Sequence, residues 1–460
     1  MIREKIKEFV KGRREEIVST LMDLIKIPSV STDRAACEQM ASAVKDLYQK
    51  YGFKTTDGEE YLLAHHGQGS ESIGLFAHGD VVEGGENWLY TSDPFEPKIH
   101  GDFIIGRGAW DDKSAIICSL YTLIALKELN IPVEKEIVCF TGLNEENGMS
   151  DIQNYVKTNT PPTFSLVLDA GFPVYYGDKG KTWARVSAKK TLTDISEFFG
   201  GKMINIILAN AEARVKYTKE LFEDLKETQR VKIEKQGEEI VIKSEGVSAH
   251  GATPNGSING ACLIAELLKD SKALNSKDRE IMNDLYTVLS SPYGESVGID
   301  NKDSEFGDLT MTNGIVEVAN GKLSFTLDIR YGKGVKAQEM IKVLEKSLDK
   351  LGFDLEIISS DEAYSIDKSH PYLQKYMEAY REYTGETEKP MRINAGSTYA
   401  KCMENACEIG TRFGGGWLEL PTGHGCAHQP DENTSIEGLL NAIEIIIYSV
   451  IRLAEKQGDK

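Results

Sequence analysis

The chain has 460 residues, too many for one ordinary core, so two domains are the expectation. A formal net charge of -19 without any basic cluster excludes nucleic acid, whose phosphates would be repelled, and leaves basic or zwitterionic small ligands open. Seven cysteines, odd in number, scattered and without a C-x-x-C pair, suit a reducing compartment, and the cytoplasm is the expected location.

The opening stretch predicts an amphipathic helix with Ile2, Ile6, Phe9 and Val10 on one side. Charge arrives too early there for a signal-peptide core, and no membrane association is expected. Three short apolar runs follow, Ile73–Asp80, Glu136–Glu146 and Phe164–Asp169, each ending in acids and the first also in a histidine. Runs of this kind suit strands buried on both faces of a parallel sheet, and ligands of open α/β sheets gather beyond the carboxyl ends of such strands. The chain thus aims oxygen and nitrogen ligands at one rim.

Residues 1–178 alternate such strands with helical patterns, as a mainly parallel sheet requires. From 179 to 362 the texture changes to alternating strands, Val231–Glu234 before Ile240–Lys243, and Ile315–Val318 meeting Leu323–Ile329 across Asn320-Gly321, a strong hairpin signal. Helices are predicted over Tyr217–Thr228, Ile258–Lys269 and Val335–Leu351. This reads as an α+β domain inserted into an α/β domain that residues 363–460 complete. Near the end, Thr434-Ser-Ile-Glu437 predicts a capping box opening a buried closing helix.

Several short patterns carry chemistry. In His78-Gly79-Asp80 a carboxylate stands close enough to receive the second ring N–H of a metal-binding histidine. Gly106–Ser114 superficially resembles a phosphate loop, but no glycine precedes Lys113, and Asp111 and Asp112 favour a cation. Asp112 is read as the N-cap of the next helix. In Glu145-Glu146 one acid is placed to bind metal while its neighbour takes a proton from water. Asp169 ends a buried strand, where an acid requires a partner. Gly423–Asn433 holds two of only eight histidines; His424-x-Cys426-x-His428 is not read as a closed metal clip, because no fourth ligand has suitable spacing.

In this order Ala77-His78-Gly79-Asp80, Trp110-Asp111-Asp112-Lys113, Asn144-Glu145-Glu146, Asp169-Ala-Gly-Phe, Ser248-Ala-His250-Gly and His428-Gln-Pro-Asp-Glu resemble the M20 metallopeptidase family over nearly the whole chain, most closely the PepV-type dipeptidases. The resemblance implies a zinc-peptidase catalytic domain with an inserted lid. It implies two Zn2+ ions, Mn2+ being an alternative, bridged by Asp111, one also held by His78 and Asp169, the other by Glu146 and His428. Asp80 would orient His78, and Glu145 would be the general base. In the lid, His250 would stabilise the oxyanion, Asn205 would lie near the substrate, and Arg330 would pair with a substrate carboxylate; Gly396, in Asn394–Tyr399, would bring backbone to the substrate. Ser114 stands where glycine is usual, which bears on the start of its helix.

The function so implied is hydrolysis of short, unblocked dipeptides by a monomer. Two competitors are an N-acyl-amino-acid deacylase of the same chemistry and a noncatalytic metal-binding homologue. The large insert favours dipeptides over the first, and Glu145 argues against the second.

Overall fold

The computed structural model describes residues 2–455. The chain divides into two compact units, Lys179–Tyr364 and the segments on either side of it taken together.

The flanking segments build a mixed sheet around four parallel strands, in the order Glu136–Gly142, Ser72–His78, Phe164–Ala170 and Ala406–Gly410. Tyr61–His66 and Lys54–Gly58 extend one side antiparallel, and Tyr175–Asp178 lies antiparallel on the other. The central strands are apolar almost throughout because Lys113–Glu128 and Ile436–Ala454 pack on them; both helices are buried along most of their length. Register sets His78 opposite Gly142 and Phe76 opposite Val167, so three parallel strands end at one level. The acids that follow them in sequence therefore meet at one rim.

Lys113, fully buried, donates from Nζ to the main-chain oxygens of Leu24 and Ile27, at 3.1 and 2.7 Å, tying the start of its helix to the end of helix Arg14–Ile25. Burial pushes its ammonium down to about 7. Ser114 fills the place of the usual glycine by donating to the Trp110 oxygen and to Thr411 Oγ1.

The unit Lys179–Tyr364 is an antiparallel sheet of its own, in which Val231–Gln236 pairs with Glu239–Glu245, and Val316–Ala319 with Lys322–Tyr331. Asn320 and Gly321 take φ of 52° and 71°, the left-handed pair that a tight hairpin demands. Its core joins Val186, Phe198, Ile242 and Leu327 to Ile264, Leu285 and Leu344.

Three elements differ from the sequence reading. The helix expected over Tyr217–Thr228 spans only Lys219–Asp224, capped by Thr218, because Leu225 turns extended. A helix at Ser276–Leu289, absent from that reading, is anchored by buried Asp278, whose carboxylate accepts the N–H groups of Thr193, Asp194 and Ile195. The closing helix is capped by Ser435 rather than Thr434: the strand Asn433–Ser435 runs up to the helix start, and Ser435 Oγ accepts from the Gly438 N–H.

Candidate metal centre

His78 ends its strand buried, with Nδ1 2.9 Å from the Asp80 main-chain oxygen. Nδ1–H donates to that carbonyl, which leaves the Nε2 lone pair available to a cation. Nε2 lies 3.1 Å from Asp111 Oδ1 and 4.0 Å from Asp169 Oδ2. On the other side of Asp111, His428 Nε2 lies 3.0 Å from Oδ2 and 2.9 Å from Glu146 Oε1. In each trio the ligand atoms lie within 4.8 Å of one another, and Asp111 belongs to both.

The electrostatics follow from crowding acids in one buried place. Burial, reinforced by neighbouring carboxylates, holds Glu145 and Asp169 well above the usual carboxylate range. His78 is driven well upward although burial opposes it, because hydrogen bonds to Asp111 and Asp80 favour the imidazolium. Two imidazole nitrogens and three carboxylates around two foci sharing Asp111 form a donor set that fits a pair of divalent cations, Zn2+ or Mn2+ by ligand type. Glu145 Oε1 is buried without a hydrogen-bond partner among the described residues, so it too is left for something other than the protein.

Asp80 stands against His78 and does more besides. Its main-chain oxygen orients His78, whereas its carboxylate, 3.5 Å from that ring, accepts from Ser31 at 2.6 Å and from the N–H groups of Glu145 and Glu146, both at 3.1 Å. The carboxylate thus sets the turn that carries both glutamates. Asp112 stands at the N-cap of Lys113–Glu128, yet its side chain makes no cap; Oδ2 accepts from the His78 N–H at 3.3 Å. No clip forms at His424-x-Cys426-x-His428: His424 Nδ1 bonds Asp431 Oδ2 at 2.6 Å, and Cys426 is exposed.

The sequence reading missed Glu432. Fully buried, it accepts from the N–H groups of Gly108, Trp110 and Asp111 at 2.9–3.1 Å and from Arg107 Nη1 at 2.6 Å. One glutamate therefore shapes the loop that presents Asp111. The turn carrying His428, itself at φ 64°, is pinned where Asp431 Oδ1 accepts from the N–H groups of Leu89 and Tyr90. The paired acids that end His428-Gln-Pro-Asp-Glu were the available signal, but the partners of Glu432 lie more than 300 positions away. Trp110, Asp111, Asp169, Tyr175, Asn394 and Ala427 help line a cavity of ≈ 330 Å³ that takes in part of the two trios. Gly396, on the Asn394 loop, donates its N–H to Asn394 Oδ1 at 2.9 Å and has no left-handed φ, so glycine there is not a conformational necessity.

Within Lys179–Tyr364, the three residues singled out from sequence come together. The Asn205 main-chain oxygen accepts from Gly251, next to His250, at 2.8 Å, and Ile206 bridges His250. His250 Nδ1 accepts from the Ala252 N–H at 3.2 Å, so the proton of the neutral ring sits on Nε2; burial, with Arg330 nearby, keeps the ring neutral by lowering its pKa. Arg330 is buried rather than a solvated strand residue, and Asp328 Oδ1 holds its Nε at 2.7 Å while also accepting from Trp183 Nε1 at 2.9 Å.

A model of the family described as "Peptidase family M20/M25/M40" matches residues 74–452. A Staphylococcus haemolyticus protein named "Putative dipeptidase SH1171" is 28% identical, with 98% of this chain and 99% of that protein aligned. A Staphylococcus aureus (strain USA300) protein named in the same way is 27% identical over 98% of this chain and 100% of its own length. Among solved structures, human carnosine dipeptidase 1 aligns with a TM-score of 0.65 at 13% identity, covering 99% of each chain, and the di-peptidase Dug1p of Saccharomyces cerevisiae with 0.59 at 12%, covering 99% of each. At those identities the two structures speak for the fold alone.

Replacing Glu432 tests how the Asp111 loop is supported. Glu432→Ala frees three N–H groups and strands the Arg107 charge, and it is expected to weaken Zn2+ or Mn2+ binding about 10- to 100-fold in competition with a chelator. Unchanged affinity in a folded variant would contradict that role.

Proposed function

The chain belongs to peptidase family M20/M25/M40, and from that premise we propose that it is a metal-dependent dipeptidase acting on short, unblocked dipeptides. The observation that carries the reading is the pair of trios sharing Asp111, with Glu145 Oε1, which has no hydrogen-bond partner among the described residues, beside them. The names of the aligned staphylococcal proteins, matched over nearly their full length, support the substrate class.

In this reading His78, Asp111 and Asp169 hold one Zn2+ or Mn2+ ion, and Asp111, Glu146 and His428 hold the other. Such a pair, when bound, lowers the pKa of water and polarises the scissile carbonyl. Glu145, raised in pKa by burial and fixed by the Asp80 carboxylate, takes the proton of the attacking water and passes it to the leaving amine. His250 serves as oxyanion donor, a role favoured by its Nε2–H tautomer. Arg330, its guanidinium oriented by Asp328, receives the dipeptide's C-terminal carboxylate. Asn205 and the backbone around Gly396 complete the substrate contacts. The inserted unit thereby acts as a lid, and the enzyme works as a monomer. Its seven cysteines form no disulfide among the described residues, which suits the cytoplasm.

The test is to strip the protein of metal, restore Zn2+ or Mn2+ separately, and follow free dipeptides beside their N-acetyl forms and N-succinyl amino acids. Cleavage of free dipeptides alone, dependent on metal, is expected. Cleavage of acyl substrates alone would move the protein to the deacylases, and two bound metals without hydrolysis would make it noncatalytic. Glu145→Gln is expected to lower kcat about 10²- to 10⁴-fold with metal content retained; near-normal kcat would remove Glu145 as the base.

A further inference from the structure

A second group of buried acids lies outside the metal centre. Glu408 sits in the middle of the strand Ala406–Gly410, fully buried between Cys407 and Ile409, where a carboxyl group needs dedicated partners. It has them. Oε1 accepts from Thr398 Oγ1 at 2.8 Å and Oε2 from Asn394 Nδ2 at 2.7 Å. Its carboxyl group is also hydrogen-bonded to that of Asp178, equally buried, whose Oδ2 accepts from the Thr398 N–H at 3.4 Å.

Every loop partner of this pair lies in Asn394–Thr398. Asn394 is fixed at both ends of its amide, Nδ2 to Glu408 and Oδ1 to the Gly396 N–H, and it lines the cavity beside Asp111 and Asp169. Thr398, besides donating to Glu408, accepts from the Ala400 N–H at 3.2 Å and starts the turn that carries Tyr399, whose ring meets that of His78 edge-on. The two acids therefore grip the segment that runs from Asn394, at the cavity, to Tyr399, against the ring of His78.

We propose that Glu408 is a positioning residue for substrate, which with Asp178 fixes the Asn394–Thr398 backbone in the shape that receives the dipeptide. The inference rests on the dipeptidase reading for the identity of the ligand, and on the hydrogen bonds alone for the loop. Two carboxyl groups in hydrogen-bond contact are stable in a buried place when one proton lies between them. Asp178 Oδ1, which has no hydrogen-bond partner among the described residues, is open to such a proton. Burial and the neighbouring Asp178 hold Glu408 well above the usual carboxylate range, and burial also raises Asp178, with Lys401 the cation acting against that rise. At a pH high enough to remove the shared proton, two buried charges repel and the grip on the loop is lost.

The test compares Glu408→Gln with Glu408→Met. Glutamine donates to Asp178 as the protonated acid does and keeps an oxygen for the loop, whereas methionine fills the space without any hydrogen bond. Expected for Glu408→Met is a rise of about tenfold in KM for free dipeptides, with kcat and metal content little changed, and faster amide exchange at Gly396 and Thr398. Glu408→Gln should stay near the parent in both readouts and should lack the rise in KM at alkaline pH that the proposal predicts for the parent. If Glu408→Met does not fold, Thr398→Val, which removes one donor to Glu408 and keeps the side-chain volume, should raise KM and speed exchange at Gly396. Unchanged exchange and KM in Glu408→Met, or equal damage from glutamine and methionine, would overturn the proposal. A parent protein that cleaves no dipeptide would sink the dipeptidase reading, while the exchange rates would still decide whether Glu408 holds the loop.

Discussion

The structure depends on carboxylates gathered out of water at the end of a parallel sheet. Asp80, Asp112, Glu145 and Glu432 are buried, with Asp111, Glu146 and Asp169 half-buried among them. Leaving charges of one sign in a low-dielectric place costs several kcal/mol each unless something compensates them. Hydrogen-bond donors compensate part of the set: N–H groups and Ser31 for Asp80, three N–H groups and Arg107 for Glu432. The remainder, Asp111, Glu146 and Asp169, stand with His78 and His428 in two trios whose geometry fits cations. Acids satisfied by the protein thus hold in place acids that are candidates for metal.

That division explains why long-range partners matter more than neighbours in sequence. The loop presenting Asp111 is shaped by Glu432, and the turn presenting Glu145 and Glu146 by Asp80. The β-strand scaffold brings these segments together because its central strands end in register. Rigid strands with short loops keep the ligand atoms within a narrow range of positions, which a two-cation site requires.

Much of this was legible in the sequence because the signals were local. Apolar runs ending in His78, Glu145 and Asp169 marked buried strands and their rim, and Asn320-Gly321 marked a hairpin. What the sequence concealed depends on pairings across the chain. Asp112 reads as a helix cap, yet its carboxylate turns to the His78 N–H, because strand Ser72–His78 ends beside it. Asp80 reads as a partner of His78 alone, yet its carboxylate, beside that ring, also holds the Glu145–Glu146 turn. Glu408 lies in an otherwise apolar strand and gives no periodic signal; its partners Asn394, Thr398 and Asp178 become visible only once the sheet places them together. Thr434 reads as a cap, but the strand Asn433–Ser435 carries the chain one residue further before the helix begins.

The central claim is that one carboxylate, Asp111, joins two cation sites. Anomalous diffraction from crystals of the protein loaded with Mn2+ measures it directly. The account predicts two peaks about 3.5–4 Å apart, one on each oxygen of Asp111, the first also touching His78 and Asp169 and the second Glu146 and His428. A single peak, or two that do not share Asp111, would contradict it.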